Sequence, residues 1–91
     1  MLHARQDYDR IQDPAGLIPE DEPVFLLRGQ DMRAPATLRA YAGFSRAQGS
    51  FDIADACELW ATRMEQWQAT HGRKLADVPE GALTEVLRGQ R

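Results

Sequence analysis

The feature that most constrains the fold is a long amphipathic pattern in the second half of the chain. Apolar and aromatic residues recur there at steps of three and four, which places them on one face of a helix. This stripe comprises Ile53, Ala56, Cys57, Trp60, Met64, Trp67 and His71. Gly72 follows where helices commonly end, so the pattern predicts a helix over residues 53–71. We expect its tryptophan side to form the core, and an exposed docking groove is the alternative.

A second helix is predicted directly before it, over residues 35–48. Pro35 suits the first turn of a helix, and Gly49 is a typical terminator. Residues at helical spacing on its inner face are Leu38, Tyr41, Ala42 and Ser45. Asp52 is predicted to cap the following helix. The turn between the two predicted helices is short, so we expect them to pack antiparallel.

The first third of the chain has a different character. Residues 1–33 combine acids with turn-forming residues, and the sequence Asp-Pro-Ala-Gly at 13–16 predicts a tight turn. The apolar run that starts at Val24 predicts a short extended segment over 24–28, lying across the helices as a strap. We therefore expect an irregular acidic arm, although a short hairpin around the 13–16 turn is an alternative.

The chain has 91 residues, enough for one domain with one core. The predicted fold class is mainly α: two antiparallel helices, a short third helix over about 80–88, and the arm 1–33 as part of the same domain as the helical core 34–91. Leu83, Val86 and Leu87 share one face of the third helix. Because so short a domain has a narrow stability margin, homo-oligomerisation through helix 53–71 is also expected.

Composition narrows the class of protein. The longest apolar run is far shorter than the ~20 residues of a membrane span, and the first residues lack the pattern of a secretory signal. Cys57 is the only cysteine, which fits a reducing, cytoplasmic compartment. The net charge of -3 is concentrated in residues 1–22, where six acids face two bases. No segment is basic enough to predict nucleic-acid binding.

Catalysis and metal binding find no support in the motifs. The preferred zinc ligands are limited to His3, Cys57 and His71, which are widely spaced, so we expect no metal and no cofactor. Cys57 is predicted to be a buried thiol instead of a nucleophile. Two helices that meet at a short glycine-containing turn resemble a helix-turn-helix, but Asp52 and Asp55 at the start of the second would repel phosphates. We expect neither an enzyme nor a DNA-binding protein.

Two polar groups are candidate binding residues. One is acidic and lies between two prolines: Glu20, Asp21 and Glu22. The other follows the apolar run directly: Arg28, Gln30, Asp31 and Arg33. The second group is interpreted either as a recognition edge for a protein or small anion, or as a structural ion pair of Arg28 with Asp31 or Glu22.

Two blocks carry a resemblance to a known family. These are Ile-Pro-Glu-Asp-Glu-Pro-Val-Phe-Leu-Leu-Arg-Gly-Gln-Asp at 18–31, followed by Ala34-Pro35, and Arg-Met-Glu-Gln-Trp-Gln at 63–68. Over residues 17–67, just over half of the chain, it resembles a family of short acidic proteins of phages and prophages. That family often has alanine where this chain has Gly29. The resemblance implies a phage context and no catalytic mechanism.

Three functions remain open from the sequence. The first is a non-enzymatic accessory protein that binds another protein, for example as an anti-CRISPR-like inhibitor of host machinery that mimics negative charge. The second is a helical oligomer that holds a small anionic ligand, such as a nucleotide, with Arg28, Arg33 and Arg39. The third is a role in virion assembly. All three place the protein in the cytoplasm of its host, with a protein partner in the first case.

Overall fold

A computed structural model describes residues 2–3, 5, 12–76 and 78–89 of the chain. The described part is mainly helical, which confirms the predicted fold class. Its helices are α1, Ala34–Ala47, α2, Phe51–His71, and α3, Thr84–Arg88. Its strands are β1, Leu2–His3, and β2, Pro23–Val24. The chain divides into two compact units, of which one is Leu27–Ala76 and the other combines Met1–Leu26 with Asp77–Arg91.

Local sequence sets both ends of α1. Pro35 occupies its first turn, where a missing N–H costs no helical hydrogen bond. Gly49, with a φ of 80°, follows the helix and reverses the chain. The N–H of Ser50 then donates to the carbonyl oxygen of Ser45 at 2.8 Å, which closes the turn. The predicted helix and its terminator are confirmed to within a residue.

The start of α2 differs from the prediction. Ser50 is the N-cap residue and makes no side-chain capping bond, so the helix begins at Phe51 and includes Asp52 in its first turn. The prediction that Asp52 caps the helix is wrong. Its carboxylate instead lies near the positive end of the helix dipole, which is a favourable position for a negative charge. At the other end Gly72 adopts a φ of 89°, so the predicted terminator is confirmed.

α1 and α2 pack together as an antiparallel hairpin whose seam consists of small side chains. Leu38 is half-buried against this seam. The buried residues of the two helices are Ala34, Pro35, Ala42 and Ser45 of α1 and Ala54, Cys57 and Ala61 of α2. Among the residues that the structure describes, no large side chain is fully buried. The seam therefore allows close approach of the helix backbones but removes little apolar surface from water.

The predicted core face of α2 is wrong in part. Cys57 is buried as expected, but Trp60 is 51% exposed and Trp67 is 42% exposed. The buried side of the helix runs instead through Ala54, Cys57 and Ala61. Both sets of residues have helical spacing, and the close approach to α1 selects the small ones, since indole rings do not fit between two adjacent backbones.

The segments that flank the hairpin are joined to each other. Asp31 and Lys74 form an isolated parallel bridge. In it the N–H of Met32 donates to the carbonyl of Lys74, and the N–H of Lys74 donates to the carbonyl of Gln30, both at 3.0 Å. From α2, the side-chain amide of Gln68 donates to the carbonyls of Gly29 at 2.8 Å and Asp31 at 3.0 Å. We call this arrangement of residues 29–32, Gln68 and Lys74 the clasp.

The other unit contains the two short strands, which pair in parallel with Leu2 opposite Pro23 and His3 opposite Val24. Sequence reasoning identified no partner for the 24–28 segment and missed this pairing. The strand is shorter than predicted, and Phe25 is 67% exposed, so the interpretation of this run as a buried strap is wrong for that residue.

The turn and the last helix of this unit follow local sequence rules. The turn predicted at 13–16 is present: the N–H of Gly16 donates to the carbonyl of Asp13, whose carboxylate accepts from the N–H groups of Leu17 and Ile18. α3 begins at Thr84 and not at residue 80, because Gly81 has a φ of 85° and interrupts the helical backbone. The predicted third helix is thus present in a shorter form.

The small-residue seam makes a direct prediction for stability. Ala61→Leu inserts three carbon atoms between the helices and is expected to lower the free energy of unfolding by about 1–3 kcal/mol. Ala69→Leu, the same change at an exposed position of α2, is expected to be close to neutral. Urea unfolding followed by circular dichroism measures both values. Equal effects at the two positions would contradict the close packing of the seam.

Candidate functional site

One side of the α1–α2 hairpin is charged. The guanidinium of Arg39 lies 2.7 Å from the carboxylate of Glu65 and 3.7 Å from that of Glu58. Further along, Arg46 lies 2.9 Å from the carboxylate of Asp55. These contacts join α1 to α2 across the seam at two levels, as antiparallel helices require. Because the pairs are partly exposed, they contribute little to stability and mainly define a polar side of the hairpin. We call it the charged face.

The pair of Arg39 and Glu65 favours the charged form of both groups. The hydrogen bond to Glu65 raises the pKa of Arg39 above its ordinary value, and the negative charges of Glu65 and Glu58 act in the same direction. The same hydrogen bond lowers the pKa of Glu65. Both groups are therefore charged at neutral pH. An anionic ligand that used Arg39 would have to displace the carboxylates that already hold it.

Helix geometry places the exposed aromatic residues Tyr41 and Trp60 on the opposite side. Each residue turns a helix by about 100°, so on α2 Glu58 lies about 100° from Cys57 in one direction and Trp60 about 60° in the other. On α1 the same count from Ala42 puts Arg39 on one side of the seam and Tyr41 on the other. Tyr41 and Trp60 therefore lie on the same side of the hairpin, away from the charged face.

This second side carries an exposed apolar surface, which we call the aromatic face. It comprises Tyr41, Ile53, Trp60 and Trp67. All four side chains belong to the unit Leu27–Ala76, and each is between 42% and 56% exposed. Ile53, Trp60 and Trp67 recur every seven residues along α2, which is close to two helical turns and keeps them in one row. An exposed apolar row of this kind is typical of a docking surface.

Neighbouring side chains hold the two indole rings in place. The guanidinium carbon of Arg63 lies 4.8 Å from the centre of the Trp60 ring, a cation–π contact. The ring of His71 stacks on Trp67 with 4.2 Å between ring centres. His71 Nδ1 in turn lies 2.8 Å from the hydroxyl of Thr70 and 3.0 Å from the carbonyl of Trp67. These contacts restrict the rotamers of the two indole rings, and such restriction lowers the entropic cost of binding.

The acidic candidates lie in the other unit. Glu20, Asp21 and Glu22 are all exposed, in a turn where the N–H of Glu22 donates to the carbonyl of Pro19 at 3.1 Å. They form an accessible group of three adjacent carboxylates. Of the other acids in the arm, Asp7 and Asp9 lie outside the described residues.

The second candidate group surrounds the clasp. The Asp31 carboxylate is nearly buried and accepts hydrogen bonds from the N–H of Arg33 at 2.9 Å and from its guanidinium at 3.4 Å. Gln30 contributes a carbonyl to the bridge with Lys74. Asp31 and Gln30 therefore hold the backbone before α1, and Asp31 forms an ion pair with Arg33. Arg28 is exposed beside them.

Sequence reasoning missed two residues of this region, Gln68 and Lys74, which come from about 40 positions further along the chain. Nothing near Lys74 in the sequence indicates its pairing with Asp31. Gln68 does carry a signal, since it follows Ala61 and Met64 at steps of three and four on the buried side of α2. A polar residue in such a row needs a partner, and the carbonyls of the clasp supply it.

The remaining chemistry of the described residues is sparse. Among them, no group of three His, Cys, Asp or Glu side chains is placed to hold a metal ion. The Cys57 thiol is buried in the seam, as expected for a packing residue. An open depression of about 450 Å³ lies at the turn between α1 and α2, lined by backbone and side chains of residues 49–53. No described helix combines the length and apolar character needed to cross a bilayer.

Comparison with models of protein families, with curated proteins and with solved structures gives no match to this chain. The resemblance to short acidic phage proteins stays a prediction from the two sequence blocks.

The clasp provides a test of the structure around Asp31. Gln68→Glu replaces an amide donor with a carboxylate that faces two carbonyl oxygens, and it is expected to lower the free energy of unfolding by about 1–3 kcal/mol. Gln66→Glu, the same change at an exposed position of α2, serves as the control. Denaturant unfolding compares the variants. A neutral Gln68→Glu would contradict the two hydrogen bonds.

Proposed function

We propose that this chain is a non-enzymatic accessory protein that acts by binding other polypeptides, with the aromatic face of the hairpin as its principal binding surface. The observation that carries the proposal is the exposure of Trp60 and Trp67 on a hairpin whose buried seam holds only small residues. With Tyr41 and Ile53 the two tryptophans form one contiguous apolar patch, and the largest apolar patch of a small domain is often its binding surface.

The chemistry of the aromatic face supports a protein partner. Trp, Tyr, Arg and Met are the residue types enriched in the centres of protein interfaces and among the residues that contribute most binding energy. Tyr41, Trp60 and Arg63 represent three of these types on one side of the hairpin. Their flat rings bury a large area while losing few rotamers, which favours tight docking.

The acidic segment gives the proposal a finer form. Glu20, Asp21 and Glu22 are accessible to a basic protein and would accelerate its association through charge. An inhibitor of host machinery that mimics nucleic acid, from a phage or prophage, combines both features. A role in virion assembly would use the aromatic face alone, and the presence of the protein in purified particles distinguishes the two.

Sequestration of a small anion is less well supported. Of the three arginines assigned to it, Arg39 is held by Glu65 and Glu58 on the charged face, and Arg33 is paired with Asp31. Binding an anion there would require breaking existing ion pairs. We therefore place protein binding first.

Substitution of one indole tests the binding surface. Trp60→Gln is expected to weaken capture of polypeptide partners, including further copies of the chain, by at least tenfold, because central interface tryptophans commonly contribute about 2 kcal/mol or more. Leu59→Gln is the matched control, since Leu59 is also half exposed but lies about 100° around α2. Quantitative affinity purification from host lysate, with tagged and untagged chain, measures both. Identical profiles for the two variants would refute the aromatic face as the binding surface.

The charge-mimic form has its own test. Replacing Glu20, Asp21 and Glu22 with Gln, Asn and Gln is expected to slow association with a captured basic partner severalfold at low ionic strength, and to have little effect at high salt. Surface plasmon resonance over a salt series measures the association rate. An unchanged rate at low salt would remove the charge mimic and leave the aromatic face unaffected.

A further inference from the structure

We infer that the occupant of the aromatic face is a second copy of this chain, docked antiparallel along α2 about a two-fold axis at Trp60. The inference rests on the proposed function, because it names the partner of the same surface. It starts from the isolated hairpin, in which the helices bury alanine and cysteine while Tyr41, Trp60 and Trp67 stay half exposed. A chain this small gains stability when another copy covers such surface.

The spacing of the row on α2 is symmetric about its centre. Ile53 lies seven residues before Trp60 and Trp67 seven residues after it, a separation of about 10 Å along the helix in each direction. A two-fold axis at Trp60 therefore brings the two Trp60 side chains together and sets each Trp67 against Ile53 of the other copy. Such an interface is isologous, and its complementarity follows from the sequence of one helix.

Side-chain size and charge allow this register. Ala56, four residues before the axis, leaves room for Arg63 of the second copy, which lies three residues after it. The guanidinium of each Arg63 lies on the Trp60 ring of its own chain, so the two Arg63 residues flank the axis on opposite sides, with their backbones about 9 Å apart along the helices. The carboxylates of Glu58 and Glu65 are engaged on the charged face, so no acidic groups are brought together across the axis.

The available area approaches that of a small specific interface. The half-exposed side chains of the aromatic face leave about 400 Å² in water per copy, if each has a surface near 200 Å². Two such faces give about 800 Å², and exposed residues at their rims, including Phe44 and Arg63, bring the total toward the ~1,200 Å² at which specific interfaces begin. Tyr41 extends the contact from α2 to α1, so two hairpins stacked in this way form a four-helix bundle.

An amphipathic helix of a different protein would fit the same apolar row. A second copy supplies the matching row without any further sequence, because the equal steps from Trp60 to Ile53 and Trp67 make the row complementary to itself. In the two-fold dimer, each half of the row contacts the opposite half of the row on the other copy. The charged face of each hairpin then faces solvent. These points favour the second copy.

The first experiment measures the mass of the full chain by light scattering after size exclusion, over a range of concentrations. At tens of micromolar we expect about twice the 10.3 kDa of one chain. Trp60→Glu places two carboxylates at the axis and is expected to give the mass of one chain, with helical circular dichroism retained. Leu59→Glu, with the same charge change on another side of α2, is expected to remain dimeric.

A second experiment tests the register and does not depend on any single variant. Ile53→Lys and Trp67→Glu each spoil both ends of the symmetric interface, so each alone is expected to dimerise at least tenfold more weakly. A mixture of the two forms one lysine–glutamate pair and one native contact of Trp67 with Ile53, and is expected to recover the dimer. Dimers of each variant alone, or a mixture that stays monomeric, would overturn the antiparallel register.

Failure of this inference is distinct from failure of the proposed function. A wild-type chain that is monomeric throughout, yet loses a different protein partner on Trp60→Gln, overturns the second copy and retains the binding surface. A monomer for which Trp60→Gln and Leu59→Gln behave alike overturns both. A dimer that survives Trp60→Glu lies on another surface and overturns the inference.

Discussion

The close approach of α1 and α2 through alanine and cysteine is the constraint on which the rest of the hairpin depends. Side chains such as Ala42, Ala54 and Ala61 let the backbones come near enough for Arg39 and Arg46 to reach carboxylates on the opposite helix. The same closeness leaves no space between the helices for indole or phenol rings. The indole rings of Trp60 and Trp67 are thereby placed outside the seam, on the side of the hairpin away from the ion pairs.

The helices themselves were predictable because their signals are local. Gly49 and Gly72 mark the ends by adopting positive φ, which few other residues tolerate, and helical spacing fills the interval between them. Which face is buried was not predictable. Two rows with the same period run along α2, one through Trp60 and one through Ala61. Burial of the Trp60 row would remove more apolar area from water, whereas close packing against α1 requires the small residues of the Ala61 row. The position of α1 therefore decides which row is buried.

The candidate site shows the same division between local and distant contacts. The pairing of Asp31 with Arg33 spans two residues and lies within reach of sequence reasoning. Within the clasp, the contacts of residues 29–32 with Gln68 and Lys74 span about 40 residues. They form because the hairpin brings the end of α2 back beside the start of α1. Likewise, Arg39 was grouped with Arg28 and Arg33 by proximity in sequence, whereas the helix turns it toward Glu65 on the charged face.

The charged face and the aromatic face together limit how many copies of the hairpin can associate. An apolar row on both sides would let copies stack without end, because each new copy would expose the same surface as the last. Here the charged face is occupied by its own ion pairs, which favours docking through the aromatic face. In the proposed dimer a two-fold contact uses that face in both copies, so the assembly would close at two copies. Binding also stabilises the fold by mass action, so the stability of so thin a seam and the occupancy of Trp60 are linked quantities.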